Sequence, residues 1–470
     1  MTESEKLHNK RVQKISAQLK KFYKQKKKVR IYHGSTNSTR TQEFKKDEIV
    51  YITDLNNVIE VNPKEKYAVV ESNVPMDKLV EETFKFGLIP PVVMEFPGIT
   101  VGGGIQGGAG ESSSFKWGLF HHICLEYEMV LGDGKIITAS SKKTSDLYWG
   151  TACSYGSLGI ITQVKLRLIS AKKFIHLTYH KVNSFKESIK SIEEASRDSV
   201  DFIDGILFSK QTGVIMSGKF SDKKDAPVVT FRKAIDDWFY VHAEKIIKKH
   251  KKWKEIIPLK DYLFRYDRGA FWAGNYAFKR SRIPFNRFTR FILNPLFKTR
   301  TLYRFLQAIN ISQRQIVQDF CLPRESVLPF LELVDKMTNI YPIWICPGWV
   351  AKKYDKLSPG YLSNNFIIDI GVWGKTQGDF EHLVKLNRDL EKTLTEYKGR
   401  KVLYAHSYYP KDEFWKIYDF KWYEKLRKKY KAEKVFPDVY EKTKVSKKYN
   451  VSITKGLLNV IKSPFKLPIN

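Results

Sequence analysis

The stretch PGITVGGGIQGGAGESSS, Pro97 to Ser114, constrains the fold most, because six glycines occupy the nine positions from Gly102 to Gly110. Gly102, Gly104 and Gly107 satisfy GxGxxG, the fingerprint of a strand–turn–helix dinucleotide unit. That unit needs a clean first strand before the glycines, a helix after them and an acid about 20 residues on. Here EFPG precedes the glycines and the polar, interrupted ESSSFKWG follows, so this reading fails. What is left is a loop whose backbone N–H groups face phosphate oxygens, with glycine required because a Cβ would block the approach. A second loop of that kind is YHGSTNSTR. There Gly34 turns the chain after a strand, and Ser35, Thr36, Asn37 and Ser38 offer short hydrogen-bond donors. Two such loops can clamp one pyrophosphate.

The protein has 470 residues, 42% hydrophobic and 14% aromatic, enough for a large core and two or more domains. Lys and Arg number 82 against 50 acids, a formal +32 spread along the sequence. Such a field favours anionic partners such as phospholipid headgroups or phosphorylated cofactors, unless it is compositional bias. Nucleic acid is not an expected partner, since no zinc-finger, RNP or helix-turn-helix pattern accompanies the lysines. The four cysteines, Cys124, Cys153, Cys321 and Cys346, form no CxxC and read as buried free thiols in a reducing compartment. No apolar run reaches the roughly 18–20 residues of a bilayer span, and MTESEKLHNKR has no signal-peptide core. The expectation is a cytoplasmic protein, peripheral at a membrane surface if it meets one.

Residues 1–28 contain Val12, Ile15, Leu19 and Phe22 at helical spacing, which predicts a basic amphipathic helix. Its apolar face either packs on the body or lies on a membrane. Residues 29–171 alternate short β-branched runs with Gly, Pro and Asn, with one helix at MDKLVEETFKFG, and predict an α+β unit. Residues 172–398 form a second, aromatic unit with strands FIHLTYHKV, DGILFS, GVIMSGKF and NNFIIDIGVWG. Its helices are FRKAIDDWFYVHAEKIIKKH and GDFEHLVKLNRDLEKTLTEY, with a helical insert over about 283–322. Residues 399–447 return to short motifs, and 448–470 form a basic amphipathic tail.

The order of HGSTNS, PGITVGGGIQGGAGESSSFKWGLFHHICLEYEMVLGDG, SDLYWGTACSYGSLGIIT and VKLRLI resembles the FAD-binding domain of vanillyl-alcohol oxidase and p-cresol methylhydroxylase. The Diminuto/Dwarf1 branch of Δ24-sterol reductases is more similar still, also through IYPIWICP, FIIDIGVWG, VLYAHSYYPKDEFW and KLRKKYKAEKVFPDVYEK. Ala109 stands where that branch has glycine. The resemblance covers about residues 10 to 445. It implies an α+β architecture: a two-subdomain FAD-binding domain, a substrate (cap) domain, and a C-terminal segment returning to the flavin.

It also implies a pyrophosphate site at Gly34, Ser35, Thr36, Asn37 and Ser38. The second half of that site would be Thr100, Val101, Gly102, Gly103, Gly104, Ile105, Gln106, Gly107, Gly108, Ala109, Gly110, Glu111 and Ser112. Further FAD contacts are implied at Ser113, Ser114 and Gly118, and in the backbone of Gly159, Ile160, Ile161 and Thr162. Some relatives attach flavin covalently through a His after paired glycines. His33 instead precedes the single Gly34, so noncovalent FAD is expected.

His121 and His122 suggest no metal site, since neighbours on a strand face opposite ways and no Cys or carboxylate lies at ligand spacing; a structural role, or a hydrogen bond from His122 to the flavin edge, is expected instead. The absence of GxSxG and HExxH leaves hydrolysis without support. Hydride chemistry at flavin needs a partner group that delivers a proton. Tyr404, His406 and Tyr408 share a face if VLYAHSYY is a strand; Tyr404 is favoured as the proton donor or as the group positioning it, and an aromatic strand buried for packing is the alternative. Asp369, a carboxylate in FIIDIGVWG, must be paired if buried.

Animal and plant members carry an N-terminal membrane segment that is not found ahead of this basic helix, so integral anchoring is not expected. The N-terminal helix and a tail stripe of Ile453, Leu457, Val460 and Ile461 are instead candidates for contact with anionic lipid. The expected activity is FAD-dependent reduction of a carbon–carbon double bond in the tail of a sterol or related isoprenoid, with NADPH as donor. An alcohol or lactone oxidase of the same fold, and a binding protein without turnover, are the alternatives.

Overall fold

A computed structural model describes residues 2–34, 44–308, 315–349, 354–362, 366–445 and 448. Ser35 to Ser38, and the tail stripe of Ile453, Leu457, Val460 and Ile461, lie outside the described residues.

Helix α1 (Glu3–Lys24) begins at a Thr2–Glu5 capping box, which satisfies orphan N–H groups at both ends of the box. Its stripe of Val12, Ile15 and Leu19 is buried against the body. His8 is buried with it, between Glu71 (2.9 Å) and Glu128 (3.0 Å). The apolar face therefore packs inward.

Strands β1 (Val58–Asn62), β2 (Tyr67–Glu71), β3 (Cys124–Val130), β4 (Ile136–Ser140) and β5 (Ile160–Arg167) form an antiparallel sheet in the order β1-β2-β5-β3-β4. The second sheet is built from β6 (Phe174–Val182), β7 (Phe202–Ser209), β8 (Thr212–Ser221), β9 (Lys252–Pro258), β10 (Gln315–Pro323), β11 (Ile343–Trp349), β12 (Phe366–Lys375) and β13 (Arg400–Lys401). Its order is β9-β6-β8-β7-β11-β12-β10-β13, again antiparallel.

Three helices, Phe185–Arg197, Arg324–Thr338 and Phe380–Glu396, cover one face of this sheet. Ile316, Phe320, Leu322, Ile368, Ile370 and Val372 meet them in one apolar cluster. Alternation then turns Val317, Asp319, Cys321, Ile367, Asp369 and Trp373 toward the opposite face, where they line a cavity.

Two expectations change. The helix expected over 231–250 is formed only at Phe239–Lys249. Ahead of it Asp236 accepts from Lys233 N–H and Thr230 Oγ1, a local competitor to helix. The insert expected over 283–322 is helical in α4 (Arg287–Ile292) and α5 (Thr299–Ala308), after α3 (Ala273–Ser281). Its end, however, is β10, which lies between β12 and β13 in the second sheet. Among the described residues no helix is long and apolar enough to cross a membrane.

Beyond β13 the backbone returns to the first sheet unit. Arg427 donates to Ser157 O (2.7 Å), the Tyr423 hydroxyl to Ser157 Oγ (2.7 Å), and Val29 N–H to Val435 O (2.8 Å).

Candidate active site

A cavity of about 380 Å³ lies between the glycine segment and the face of the second sheet that the three helices leave uncovered. The glycine segment is not a loop throughout. Val101–Gly107 forms a short helix α2, with Thr100 as N-cap and Gly108 at φ 65° closing it, the left-handed position that favours glycine at a helix end.

Close packing explains part of its composition. A Cβ at Gly102 would lie 3.0 Å from Ser72 O, and one at Gly104 would clash with the Met94 side chain. The opening N–H groups are also already used: Val101 donates to Val74 O, Gly102 to Ser72 O and Gly103 to Thr100 Oγ1. The expectation that these three face phosphate is therefore corrected, because the first turn of α2 bonds to its own surroundings.

Thr100, Gly102, Gly103, Gln106, Gly107, Gly108, Ala109, Gly110, Glu111 and Ser114 line the cavity, as do Ile160 and Ile161. Val101, Gly104 and Ile105 are core-side residues of α2; Ser112 and Ser113 are buried beside the cavity. Gly118 packs on the His122 ring, Gly159 on Met129 and Val130, and Thr162 Oγ1 donates to Glu128. Gly34 has φ 78° and follows His33, which lines the cavity. Burial, aided by the charge of Lys442, lowers the His33 imidazole to about 4, so it is neutral.

The glycine wall fits a large phosphorylated cofactor. A Cβ at Gly107 would meet nothing within 4 Å, so this backbone opens onto free space, and cationic Arg30 and Lys442 line the same cavity.

The opposite wall follows from strand register. Asp369 on β12 pairs with Cys321 on β10 and Cys346 on β11, and the Cys321 thiol donates to Asp369 Oδ1 at 3.6 Å. Asp319 lies two residues before Cys321 on the same face. Burial pushes the Asp369 carboxyl up to about 7 and Glu95 to about 8. Burial, with the charge of Asp369, pushes Asp319 well above the carboxylate range. These acids hold protons near neutral pH. Trp373 Nε1 donates to the Tyr404 hydroxyl at 3.1 Å, and that hydroxyl also faces Asp319. Phe271, Tyr276, Tyr303 and Trp344 complete an aromatic lining.

Of the three expected catalytic residues, only Tyr404 reaches the cavity. Residues 402–410 form no strand, so the shared face expected for Tyr404, His406 and Tyr408 does not exist. His406 is buried elsewhere, its carbonyl accepting from Gln318 and Lys401. Tyr408 N–H donates to Glu391. Asp319 was missed because QIVQDFCLP was read as part of the helical insert. Its signal was the same as that of Asp369, one carboxylate in an apolar strand. The four cysteines are free and buried, two of them in this wall.

The walls are joined by a buried ion cluster. Arg265 donates to Glu111 Oε1 and to Asp204 Oδ2, both at 2.9 Å, and Tyr266 and Trp344 donate to the same Asp204 oxygen. Glu111 comes from the glycine segment and Asp204 from β7.

His121 and His122 also depart from expectation. They sit on the 3-10 turn Phe120–Ile123, and both Nε2 atoms approach Asp355 Oδ2, at 2.6 and 3.0 Å. A carboxylate partner thus exists, 234 residues away in sequence. The three groups have metal-ligand proximity, but Leu119 N–H donates to His122 Nδ1 at 2.9 Å. His122 therefore carries its proton on Nε2 and donates to Asp355, whereas a ligating imidazole turns its N–H away from the metal. The trio is a hydrogen-bonded clamp.

Residues 8–140 match the FAD binding domain family. The human Delta(24)-sterol reductase is 30% identical over 463 residues, covering 94% of this chain and 87% of the human one. The chain belongs to the Delta(24)-sterol reductase family. The Caenorhabditis elegans Delta(24)-sterol reductase homolog dhcr-24 is 28% identical over 465 residues, covering 93% of this chain and 87% of its own. The Arabidopsis thaliana Delta(24)-sterol reductase is 29% identical over 450 residues, covering 87% and 78%. Membership makes the protein an FAD-linked oxidoreductase, and the glycine wall lies largely within the matched FAD-binding residues.

Proposed function

We propose that the protein binds FAD noncovalently and reduces the Δ24 double bond in the tail of a sterol or related isoprenoid, with NADPH as electron donor. The observation that carries this reading is the opposition of a glycine backbone wall to a wall of buried acids and aromatic rings across one cavity. The names of the family's animal and plant members supply the substrate class. The division at 1–28, 29–171, 172–398, 399–447 and 448–470 belongs to the same proposal.

In this reading Thr100, Gln106 and Gly107 to Gly110 hold the cofactor, with the backbone of Ile160 and Ile161. Gly34 to Ser38 contribute from the first loop, while Arg30 and Lys442 balance phosphate charge. When bound, the flavin supplies hydride chemistry.

The protein's own task is the proton. An isolated alkene has no carbonyl to spread charge, so the acid must be close and charged with a proton beforehand. Burial keeps the Tyr404 phenol neutral, and burial likewise keeps a proton on the Asp319 carboxyl beside it. Tyr404 Oη gives its proton to the substrate carbon and takes one from the Asp319 carboxyl. Trp373 Nε1 fixes that oxygen. Phe271, Trp344 and Trp373 exclude water and offer flat apolar surface to a polycyclic or isoprenoid substrate.

The test is anaerobic. NADPH should bleach the bound flavin, and desmosterol should restore its colour. Reduction by an alcohol with fast reoxidation by O₂ would replace this reading with an alcohol oxidase. Repeated preparations without flavin, even after FAD is added, would end it.

A further inference from the structure

From Arg268 to Gln318 the sequence contains ten Lys and Arg side chains and no Asp or Glu. Within this stretch the segment after α3 has two distinct faces. The inner face packs: Phe285 meets Trp238 at 5.2 Å and Phe278 at 5.1 Å between ring centroids, and Phe278 stacks on Phe297 at 4.7 Å. Buried Arg290 pairs with Asp237, and Arg268 Nε donates to Asn294. The segment is thus fixed to the body without help from its outer face.

That outer face is apolar and open. Phe288 is 70% exposed, Leu296 56% and Ile292 55%, with Phe291 and Ile283 beside them in sequence. Five large hydrophobic side chains exposed within 14 consecutive residues are more than scattered surface apolarity. Exposed Lys279, Arg280, Arg282, Arg287 and Lys298 border them.

We infer that the outer face of Ile283–Leu296 docks on the surface of an anionic phospholipid bilayer. Aromatic and aliphatic side chains enter the headgroup boundary while the surrounding cations meet lipid phosphates and carboxylates. The absence of any acid over Arg268–Gln318 gives the charge complementarity, since no carboxylate of this stretch opposes the lipid. α1 does not compete for this role, because its apolar face is spent on the body.

The same helices reach inward. Ala273 and Tyr276 of α3, and Tyr303 and Leu306 of α5, line the cavity. The docked segment is therefore joined at both ends to helices that line the cavity. Docking stands on the surface alone; delivery of a membrane-dissolved substrate through it rests on the proposed function.

Vesicle flotation of the full-length, FAD-loaded protein tests docking without turnover. Binding is expected to phosphatidylcholine vesicles containing phosphatidylserine, weakening as salt rises. The variant Phe288→Ser/Phe291→Ser/Ile292→Ser/Leu296→Ser should lose about tenfold or more in partitioning at unchanged melting temperature and flavin content. Arg280→Gln/Arg282→Gln/Lys298→Gln should lose the preference for phosphatidylserine. Wild-type binding undiminished in both variants would overturn the inference, placing the contact elsewhere, as in residues 448–470. Failure of the wild type to bind these vesicles, with capture of polyglutamate instead, would also overturn it in favour of an acidic protein partner.

Discussion

The two walls of the cavity are built in opposite ways. The glycine wall comes chiefly from one short run, Thr100 to Ser114, and works through backbone from which side chains are missing. The acid wall draws Glu95, Phe271, Asp319, Trp344, Asp369 and Tyr404 from across more than 300 residues, and works through side chains, those of Asp319, Trp344 and Asp369 placed by strand register. The first is local geometry and shows in a string of letters. In the second, Asp319, Trp344 and Asp369 come together only once β10, β11 and β12 are paired.

The largest effect should come from cutting the tie between the walls. Arg265→Met leaves Glu111 and Asp204 buried without their cation, and should lower stability by about 3–5 kcal/mol in thermal or denaturant melts. A change below about 1 kcal/mol would mean that packing alone joins the walls.

Next, Asp319→Asn and Tyr404→Phe should each reduce sterol turnover by about 10² or more, at full flavin content. His406→Gln and Tyr408→Phe should stay within a few-fold, since neither lines the cavity. Equal losses for all four would erase the distinction drawn at this wall. The proton-bearing acids also set a pH limb. With Asp369 at about 7 and Glu95 at about 8, turnover should decline as pH rises through about 7–8 and these carboxyls ionise.

On the glycine wall, Gly102→Val should cost about 1–3 kcal/mol by overpacking against Ser72. Gly107→Val should melt normally yet fail to retain FAD. Normal FAD occupancy in the second variant would remove Gly107 from the cofactor site.

The smallest effect lies at α1. Burial opposes charge on His8, but hydrogen bonds to Glu128 and Glu71 outweigh it and raise the imidazole from 6.5 to about 9. A raised value means the contribution is complete below about pH 6.5 and is lost as pH rises through about 9. Protection factors of α1 amides, with the intrinsic pH dependence of exchange divided out, should fall across that window; in His8→Gln they should stay level.

Sequence reasoning reached what depends on neighbours along the backbone. The strands of the first sheet, β6, β7, β8 and β12 of the second, and the stripe of α1 were legible from periodicity and composition, whereas β9, β10 and β11 were not. That α2 is a helix was not, because isolated propensity disfavours glycine while Ser72 O, Val74 O and Thr100 Oγ1 hold its first turn in place. The reach of Asp355 to His121 and His122 had no local signal at all. Asp369 was visible as a carboxylate among apolar letters; Asp319 carried the same mark and was lost when its strand was read as helix.

The Arg265 cluster has a consequence for traffic. A guanidinium held by carboxylates from both walls acts as a rivet, so parting the walls would strand three charges in a dry interior. Hinge opening between the two sheets would carry that cost. Tyr276, Tyr303 and Leu306 line the same cavity from short helices instead of paired strands.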